Sequence, residues 1–364
     1  MILAARFAGS ALALALTLLA ATAFAQGTVR TQGRDVTPGP GAPAPPAGSS
    51  LGLRDVREDM RKFIQAISTY ARQQKPGFLI VSQNGLDLLM KPEAADETRR
   101  APARTYMQSI DGALVDGVFY GVPEAGKPVT DERRAYLLPL IDEAKRARLP
   151  VLAMDYVREA AGVSDAYRQL SGKGLIPYVA ASPGPELNRI SGSGLTPWGV
   201  NSQSVISMAG VRNFVYLRDS TGFGRQDEFA FKMHDTNYDL VIVDAFHGRQ
   251  ALSKQAVETL RYKKLGAKRL VFAYVPIGSA ASYRYYWQQG WEPGSPTWIK
   301  DPFPGDPDRY YVEFWDPAWQ AIIFGNAQSY IRGVIDLGFD GAVLDDLDVF
   351  RFFTGDEPGT QNLP

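Results

Sequence analysis

The sequence predicts a (β/α)8 TIM barrel, an α/β fold of eight strand–helix units. From residue 51 onward, short runs rich in Val, Ile, Leu, Phe and Tyr recur with little polar alternation, which is typical of strands covered on both faces. Segments long enough for a helix separate the runs. No Gly-x-Gly-x-x-Gly follows any run, which disfavours a doubly wound open sheet. The runs are residues 78–85, 110–121, 149–157, 174–182, 213–219, 238–246, 269–278 and 338–346.

Three of the intervening segments carry helix signals. Residues 59–67 place their apolar side chains on one helical face. Residues 131–148 begin with acidic and end with basic side chains, the order that the helix dipole favours. Ser253 is a candidate N-cap for a helix that we expect to end at Gly266.

The first residues have the pattern of an export signal. Residues 1–25 place one Arg before a run of Ala and Leu and end on Ala-Phe-Ala, as a secretory signal peptide does. Residues 26–50 are mostly Gly, Pro, Ala and Ser without apolar periodicity, which predicts a disordered leader. We therefore expect a secreted or periplasmic protein, with no stable membrane insertion after signal cleavage.

The rest of the chain, residues 51–364, is predicted to be a single barrel. A Gly- and Ser-rich connector, 183–212, joins two four-strand halves, 51–182 and 213–352. A Pro- and Trp-rich insertion, 290–311, precedes the last helix and strand. Loops of that length in a compact domain are usually functional.

The composition excludes several classes of site. The 39 Lys and Arg residues balance 39 Asp and Glu residues, which argues against nucleic acid as the partner. There is no Cys and there are two His, so a Cys nucleophile, a disulfide framework and a thiolate zinc site are excluded. We expect no cofactor and no resident metal, although grouped acids leave a divalent cation open as an alternative.

Polar residues recur at the predicted carboxyl ends of the strands, which form the catalytic mouth of a barrel. Carboxylates stand at five of the eight ends, although an Asp after a strand often only caps the next helix. Acids grouped in a cleft raise one another's pKa, so that one stays protonated while another is ionised, as glycoside hydrolysis requires. The end residues are Gln83, Asn84, Asp116, Asp155, Tyr156, Tyr178, Asp219, Asp244, Gly278, Ser279, Asp345 and Asp346.

Aromatic residues are dense between positions 283 and 319. Sugar rings stack their C–H faces on aromatic side chains, so this density indicates a carbohydrate groove; the alternative is that half of the rings only cover the end of the barrel. Arg284, within this segment, is a candidate to hold a carboxylate or to contact substrate. The aromatic residues are Tyr283, Tyr285, Tyr286, Trp287, Trp291, Trp298, Tyr310, Tyr311, Trp315 and Trp319.

Ten motifs in order resemble glycoside hydrolase family 114, the endo-α-1,4-polygalactosaminidases, most closely a bacterial extracellular branch once labelled as related to cysteinyl-tRNA synthetase. The first half carries RKFIQAISTYAR, PGFLIVSQNG, IDGALVDGVFYG, PVLAMDYV and GLIPYVAA. The second carries NFVYLRD, YDLVIVDAF, FAYVPIGSAASYRYYW, YYVEFWDPAWQ and GFDGAVLDDLDVF. The two halves stand in exchanged order relative to the family, which a closed barrel permits because a circular permutation keeps every strand contact.

The resemblance implies a (β/α)8 barrel that hydrolyses α-1,4-linked, galactosamine-containing polysaccharide with acids at strand ends. Asp244 matches a strand-end Asp of the family, Asp155 matches in its MDY segment, and Asp116 stands where the branch tends to have Glu. Val343 and Ser279 stand where the family has Glu. Asp345 and Asp346 replace the family's Asp-Asn pair.

The leading prediction is a secreted, endo-acting and monomeric glycosidase that acts on an amino-sugar polysaccharide. Acids that face a cationic amino sugar favour galactosamine over a neutral glucan. The alternatives are a catalytically degenerate barrel that binds exopolysaccharide without cleaving it, and a hydrolase for another sugar. The predicted catalytic residues are Asp244 (nucleophile or base), Asp345 (acid), Asp155 and Asp116. The predicted substrate-binding residues are Gln83, Asn84, Tyr156, Tyr216, Tyr283, Arg284, Trp287, Trp315 and Asp348.

Overall fold

Eight parallel strands form one sheet that curls into a nearly closed barrel, at the eight predicted places. The computed structural model describes residues 54–93, 96, 99–181, 187–190 and 196–355, so the predicted signal peptide and leader lie outside the described residues. Around the sheet the strand order is β4-β3-β2-β1-β8-β7-β6-β5. The strands are β1 (Leu79–Gln83), β2 (Gly112–Asp116), β3 (Val151–Tyr156), β4 (Ile176–Ala180), β5 (Phe214–Leu217), β6 (Leu240–Asp244), β7 (Leu270–Pro276) and β8 (Gly341–Asp345).

The first and last strands are neighbours, and the sheet ends elsewhere. Leu79 of β1 pairs with Gly341 of β8. The two ends of the sheet are β4 and β5, where the rings of Tyr178 and Phe214 pack with their centroids 5.5 Å apart. This seam falls where the connector joins the predicted halves. The circular permutation itself stays a prediction.

Helices separate the strands. Several of them begin with a side-chain cap, of which the sequence predicts Ser253 alone. The N-cap side chains of Asp55, Thr130 and Ser253 accept hydrogen bonds from first-turn N–H groups at 3.0, 3.2 and 3.1 Å. No helix in the described part of the chain has the length and apolarity needed to cross a membrane. The helices are α1 (Val56–Gln74), α2 (Arg104–Ser109), α3 (Asp131–Arg146), α4 (Ala160–Gly172), α5 (Gln226–His234), α6 (Lys254–Leu260), α7 (Pro317–Ile323), α8 (Tyr330–Leu337) and α9 (Phe350–Thr354).

The predicted end of α6 at Gly266 is wrong, since the helix ends at Leu260. In the turn that follows, the Lys263 backbone N–H donates to the Ala267 carbonyl at 2.9 Å. The Lys263 side chain instead enters the protein and forms an ion pair with Asp239 at 2.5 Å, with both side chains fully buried.

The same lysine attaches the connector to the barrel. The Lys263 ammonium donates to the carbonyls of Asn201 and Gln203, each at 2.8 Å. Asp239, which precedes β6, also accepts from the Arg212 backbone N–H at 2.9 Å. We call Lys263, Asp239 and these two carbonyls the connector clasp.

The insertion after β7 is largely a small sheet rather than a loop, which corrects the expectation for residues 290–311. This sheet has three antiparallel strands. Their spatial order is Ser279–Ala281, Asp306–Val312 and Ile299–Phe303. Its aromatic side chains include buried Trp298, whose ring packs 5.3 Å from that of Trp319. Two further hairpins pair Met90–Pro92 with Arg100–Pro102, and Phe246–His247 with Gln250–Ala251.

Candidate active site

Strand pairing decides which of the predicted acids enter the barrel. The Tyr216 hydroxyl of β5 donates to Gln83 Oε1 of β1 at 2.9 Å, across the barrel, so both side chains point inward. Tyr216 is level with Ile242, and side chains alternate along a strand, so Asp244 also points inward. Asp244 is level with Tyr274 of β7, which in turn is level with Val343 of β8. Two residues beyond Val343, Asp345 therefore faces the same interior.

Asp244 lies at the mouth and forms a bidentate ion pair with Arg284. The guanidinium donates to Oδ1 at 3.0 Å and to Oδ2 at 2.6 Å. The Phe246 backbone N–H adds a bond to Oδ1 at 3.0 Å. Arg284 comes from the segment between two strands of the insertion, so the insertion supplies the cation that orients Asp244.

Asp345 is an inward acid whose pKa is raised. Burial raises the pKa of Asp345 to about 7, the neighbouring Asp346 adds to the rise, and the charges of Arg218 and Arg309 oppose it. A carboxyl group with this pKa is protonated in half of the molecules near neutral pH. Asp345 can therefore deliver a proton where an ordinary Asp cannot.

Asp346 has a different role from its neighbour. Its carboxylate accepts hydrogen bonds from the Ser279 hydroxyl and the Arg309 guanidinium, and Arg309 also donates to Ser279 at 2.9 Å. Asp346 has φ 64°, a left-handed conformation uncommon for residues other than glycine. The position where the related family has Glu is thus occupied by a buried serine that is committed to this network.

Asp116 is inward and is held by Tyr156. Gln83 of β1 is level with Leu114 of β2, so Asp116, two residues on, shares its face. The Tyr156 hydroxyl donates to Asp116 Oδ2 at 2.6 Å, and the other oxygen, Oδ1, has no hydrogen-bond partner among the described residues. This arrangement brings together two of the predicted site residues, one acid and one tyrosine.

Asp155 does not belong with the other acids. It stands between inward Met154 and Tyr156, so its side chain leaves on the opposite face of β3. Its Oδ1 accepts from the backbone N–H groups of Val118 and Phe119 at 2.8 and 3.2 Å, in the loop after β2. The structure therefore places the Asp155 carboxyl group against the loop after β2, apart from the inward acids.

Asp219, the fifth predicted rim acid, also makes a local contact. Its Oδ1 accepts from the Thr221 backbone N–H at 2.8 Å and from the Thr221 hydroxyl at 2.7 Å. This is the turn-forming role that an Asp after a strand often has. Within the described ranges, no three acidic or histidine side chains lie close enough together to hold a metal ion.

Asn84 and Asp348 line a small cleft beside the mouth, between α3 and α9, with Tyr136 and Arg351. Arg351 donates to the Tyr136 hydroxyl at 2.6 Å and to Asp87 at 3.0 Å. Asn84 also reaches the mouth, because its side-chain oxygen accepts from the Asp116 backbone N–H at 3.3 Å. These two predicted binding residues are therefore adjacent to the acids rather than among them.

The aromatic residues divide between surface and core. Tyr283 is 42% exposed and its ring lies 5.5 Å from the Arg284 guanidinium, at the mouth. Trp287 is half-buried and stacks on Tyr310 with the ring centroids 5.2 Å apart. Trp315 packs against Phe353 of α9 and beneath the Arg54 guanidinium, with no contact to the acids among the described residues.

Two of the ten aromatic residues belong to the core. Trp319 is fully buried and donates to the Ile277 carbonyl at 2.8 Å, and Trp298 packs beside it. These two rings are therefore buried inside the protein and are not exposed at the mouth.

Two arginines at the mouth were not predicted. Arg218 comes two residues after inward Tyr216, and its guanidinium lies 4.6 Å from the centroid of the Tyr274 ring. Arg309 comes from the insertion and binds Asp346. The alternation along β5 could have indicated Arg218. No sequence signal indicates Arg309, because its position depends on how the insertion folds back.

No protein-family model matches the chain. A similar uncharacterised protein of Deinococcus radiodurans is 37% identical over 131 residues, which are 36% of this chain and 39% of the relative. One of Thermotoga maritima is 41% identical over 81 residues (22% and 24%), and one of Methanocaldococcus jannaschii is 33% identical over 120 residues (33% of each). The chain thus spans between about a quarter and two fifths of these relatives' lengths.

A solved structure of a U32 peptidase is similar at a TM-score of 0.33 and 14% identity, covering 73% of this chain and 92% of that chain. A TM-score this low carries no argument about function.

Proposed function

We propose that the protein is a glycoside hydrolase that cleaves within α-1,4-linked, galactosamine-containing polysaccharide, with Asp345 as general acid and Asp244 as nucleophile or base. The observation that carries the proposal is a difference between two inward acids. Burial raises the pKa of Asp345 to about 7, whereas Asp244 is ion-paired with Arg284. Acids with separated protonation states are what glycoside hydrolysis requires.

The proposed reaction proceeds as follows. Asp345 gives its proton to the glycosidic oxygen as the bond from the anomeric carbon to that oxygen breaks. The oxygen of a water molecule then bonds to the anomeric carbon, either directly with Asp244 as base or after a covalent ester with Asp244. In the direct path one proton of that water goes to Asp244, and exchange with solvent returns a proton to Asp345; in the covalent path the proton of the water goes to Asp345 itself. The glycosidic linkage is thereby exchanged for two hydroxyl groups.

Other inward side chains would position the sugar. Gln83, held by Tyr216, and Asp116, held by Tyr156, present amide and carboxylate groups to its hydroxyls. Tyr283 offers an exposed ring beside Arg284 for stacking. The amino-sugar substrate and the α-1,4 linkage rest on the motif resemblance, and secretion rests on the pattern of residues 1–25.

A second candidate function is a barrel that binds polysaccharide without cleaving it. The observation in its favour is the replacement of two Glu positions of the related family. Val343 is fully buried and apolar, and the Ser279 hydroxyl is committed to Asp346 and Arg309.

The test is reducing-end release from partly N-acetylated α-1,4-galactosaminan by the purified protein and by Asp244→Asn and Asp345→Asn. Asp219→Asn is the matched control, because that acid stands at a strand end but binds Thr221. We expect turnover by the unchanged protein and the control, and a loss of at least a hundredfold in the two variants. Polymer binding without any turnover would favour the second candidate.

A further inference from the structure

The end of the barrel opposite the mouth carries an excess of positive charge. Because the eight strands are parallel, the loops that precede them lie together at this end. Four cationic side chains in these loops are exposed and form no ion pair with any residue in the described ranges. They are Arg148 before β3, Lys173 before β4, Arg212 before β5 and Lys268 before β7.

The acids of these loops do not balance the four cations. Each acid in the described part of the strand-preceding loops is already in an ion pair with another Lys or Arg. The chain as a whole has 39 cationic and 39 acidic residues, so the excess results from where the charges are placed. The pairs are Asp111 with Arg72, Asp235 with Lys264, Asp239 with Lys263, and Asp340 with Lys75 and Arg261.

Apolar side chains are exposed among these cations. Ile206 of the connector is 79% exposed, and Leu265 of the loop before β7 is 56% exposed. The Val205 backbone N–H donates to the Lys268 carbonyl at 2.9 Å, so Ile206 lies beside that loop. The connector clasp holds the same two segments together. We call the four cations and the exposed apolar side chains the basal face; the other apolar members are Trp198 and Val200.

The combination of charge and apolar surface limits the partner that fits the basal face. Exposed apolar side chains in a group are typical of an interaction site. A soluble polyanion would satisfy the cations but leave the apolar side chains in water. A second copy in a symmetric dimer would bring the same four cations against one another. An anionic bilayer presents phosphate groups above an apolar interior and so matches both sets of side chains.

We propose that the basal face docks the protein on an anionic lipid bilayer and directs the mouth of the barrel away from the lipid. The cations lie at the phosphate groups, and Ile206, Leu265 and Trp198 enter the interface between headgroups and acyl chains. The protein then lies on the bilayer without spanning it. The basal face is at the opposite end of the barrel from Asp244 and Asp345, so this inference does not depend on the proposed hydrolysis.

The test places a fluorescent label at each end of the barrel. The chain has no Cys, so Ser207→Cys carries a single environment-sensitive nitrobenzoxadiazole label beside Ile206. Gln250→Cys carries the same label on the exposed hairpin at the mouth and is the matched control. The vesicles are phosphatidylcholine alone or an equal mixture with phosphatidylglycerol. We expect the emission at position 207 to shift to the blue with the anionic vesicles only, and added salt to reverse the shift. The label at position 250 should not shift.

Two neutralised cations test the role of charge. Arg212→Gln with Lys268→Gln should weaken vesicle binding, titrated by the label at position 207, by roughly twentyfold, since each Lys or Arg near an anionic surface contributes about fivefold. Lys127→Gln with Arg249→Gln removes two exposed cations from loops at the mouth and should change binding by less than about twofold. Both pairs alter exposed side chains, so we expect the variants to fold.

A third pair tests the apolar side chains. Ile206→Ser with Leu265→Ser should weaken vesicle binding severalfold although every charge remains. If soluble dextran sulfate shifted the label at position 207 as far as vesicles do, the basal face would instead bind a polyanion. A dimer that forms without vesicles and is lost in this pair, measured by sedimentation, would assign the face to a second copy. Either result would overturn the inference.

The position of the label decides the outcome, because the apolar residues 1–25 can themselves bind lipid. Equal shifts at positions 207 and 250, or no shift at position 207, would contradict docking through the basal face. Equal binding to the two kinds of vesicle, or equal losses in the two Gln pairs, would contradict the role of its cations.

Discussion

The Arg284 guanidinium donates two hydrogen bonds, of 3.0 and 2.6 Å, to the Asp244 carboxylate and so links the insertion to the mouth of the barrel. The two side chains are only 7% and 11% exposed. Because the pair is mostly desolvated, removal of either charge leaves the other without compensation. The insertion and Asp244 are therefore expected to depend on each other.

Arg284→Gln should lower the free energy of unfolding by about 3 kcal/mol, since it leaves a partly buried carboxylate unpaired. It should also lower kcat/KM by roughly a hundredfold, because Asp244 loses its orientation. Urea unfolding and reducing-end release measure the two effects. Arg146→Gln, which removes an exposed pair with Glu143, should change stability by less than about 1 kcal/mol. Equal effects of the two variants would contradict this account.

Lys263→Met should destabilise the barrel by about 3–5 kcal/mol, because Asp239 and two connector carbonyls lose a buried cationic donor. Urea unfolding measures this loss. The adjacent Lys264→Met is a close control, since Lys264 pairs with Asp235 at the surface and should cost less than about 1 kcal/mol. If the two variants were equally stable, the connector clasp would not hold the connector in place.

Asp155→Asn should leave kcat/KM within about threefold of the unchanged protein, because this carboxyl group faces away from the barrel interior. The substitution is expected to change the stability of the protein instead. Burial raises the pKa of Asp155 to about 7 in the folded protein, so its stabilising contribution is complete below the unfolded pKa, about 4, and is lost as pH rises through 7. Urea unfolding from pH 4 to 8 should show a shallower decline in Asp155→Asn. A hundredfold loss of turnover would instead return Asp155 to the catalytic set.

Asp345→Asn should spare substrates whose leaving group needs no proton. On a nitrophenyl α-galactosaminide, its kcat should stay within about tenfold of the unchanged protein, while on the polymer it should fall by a hundredfold or more. Asp244→Asn should lose turnover on both substrates, since water addition still requires this carboxylate. Release of nitrophenol, followed by absorbance, separates these roles. Equal losses by Asp345→Asn on both substrates would contradict its assignment as the acid.

The strands of this fold could be predicted from sequence because burial on both faces of a parallel sheet produces continuous apolar runs. Because the runs are apolar throughout, they do not show on which face of the sheet each side chain lies. Asp155 and Asp345 both follow such runs. Only the pairing of neighbouring strands shows that the Asp155 side chain bonds to a loop, whereas the Asp345 side chain points into the barrel. The strand-end positions predicted all three acids, and the strand pairing places Asp244 and Asp345, but not Asp155, toward the barrel interior.

The insertion could not be predicted in the same way. Its strands are short, irregular and interrupted by Pro302 and Pro307, so they lack the alternation of a regular strand. Arg309 reaches Asp346 from a strand 37 positions away in the sequence. Contacts of this kind depend on the folded path of the chain and leave no local pattern.

The most direct test of the central claim is the pH dependence of kcat/KM on α-1,4-galactosaminan, because the claim requires a protonated Asp345. Burial raises the pKa of this acid to about 7, so kcat/KM should fall about tenfold per pH unit above pH 7. The residual activity of Asp345→Asn should lack this decline. A profile that stays level from pH 6 to 9, or the absence of turnover at every pH, would contradict the account.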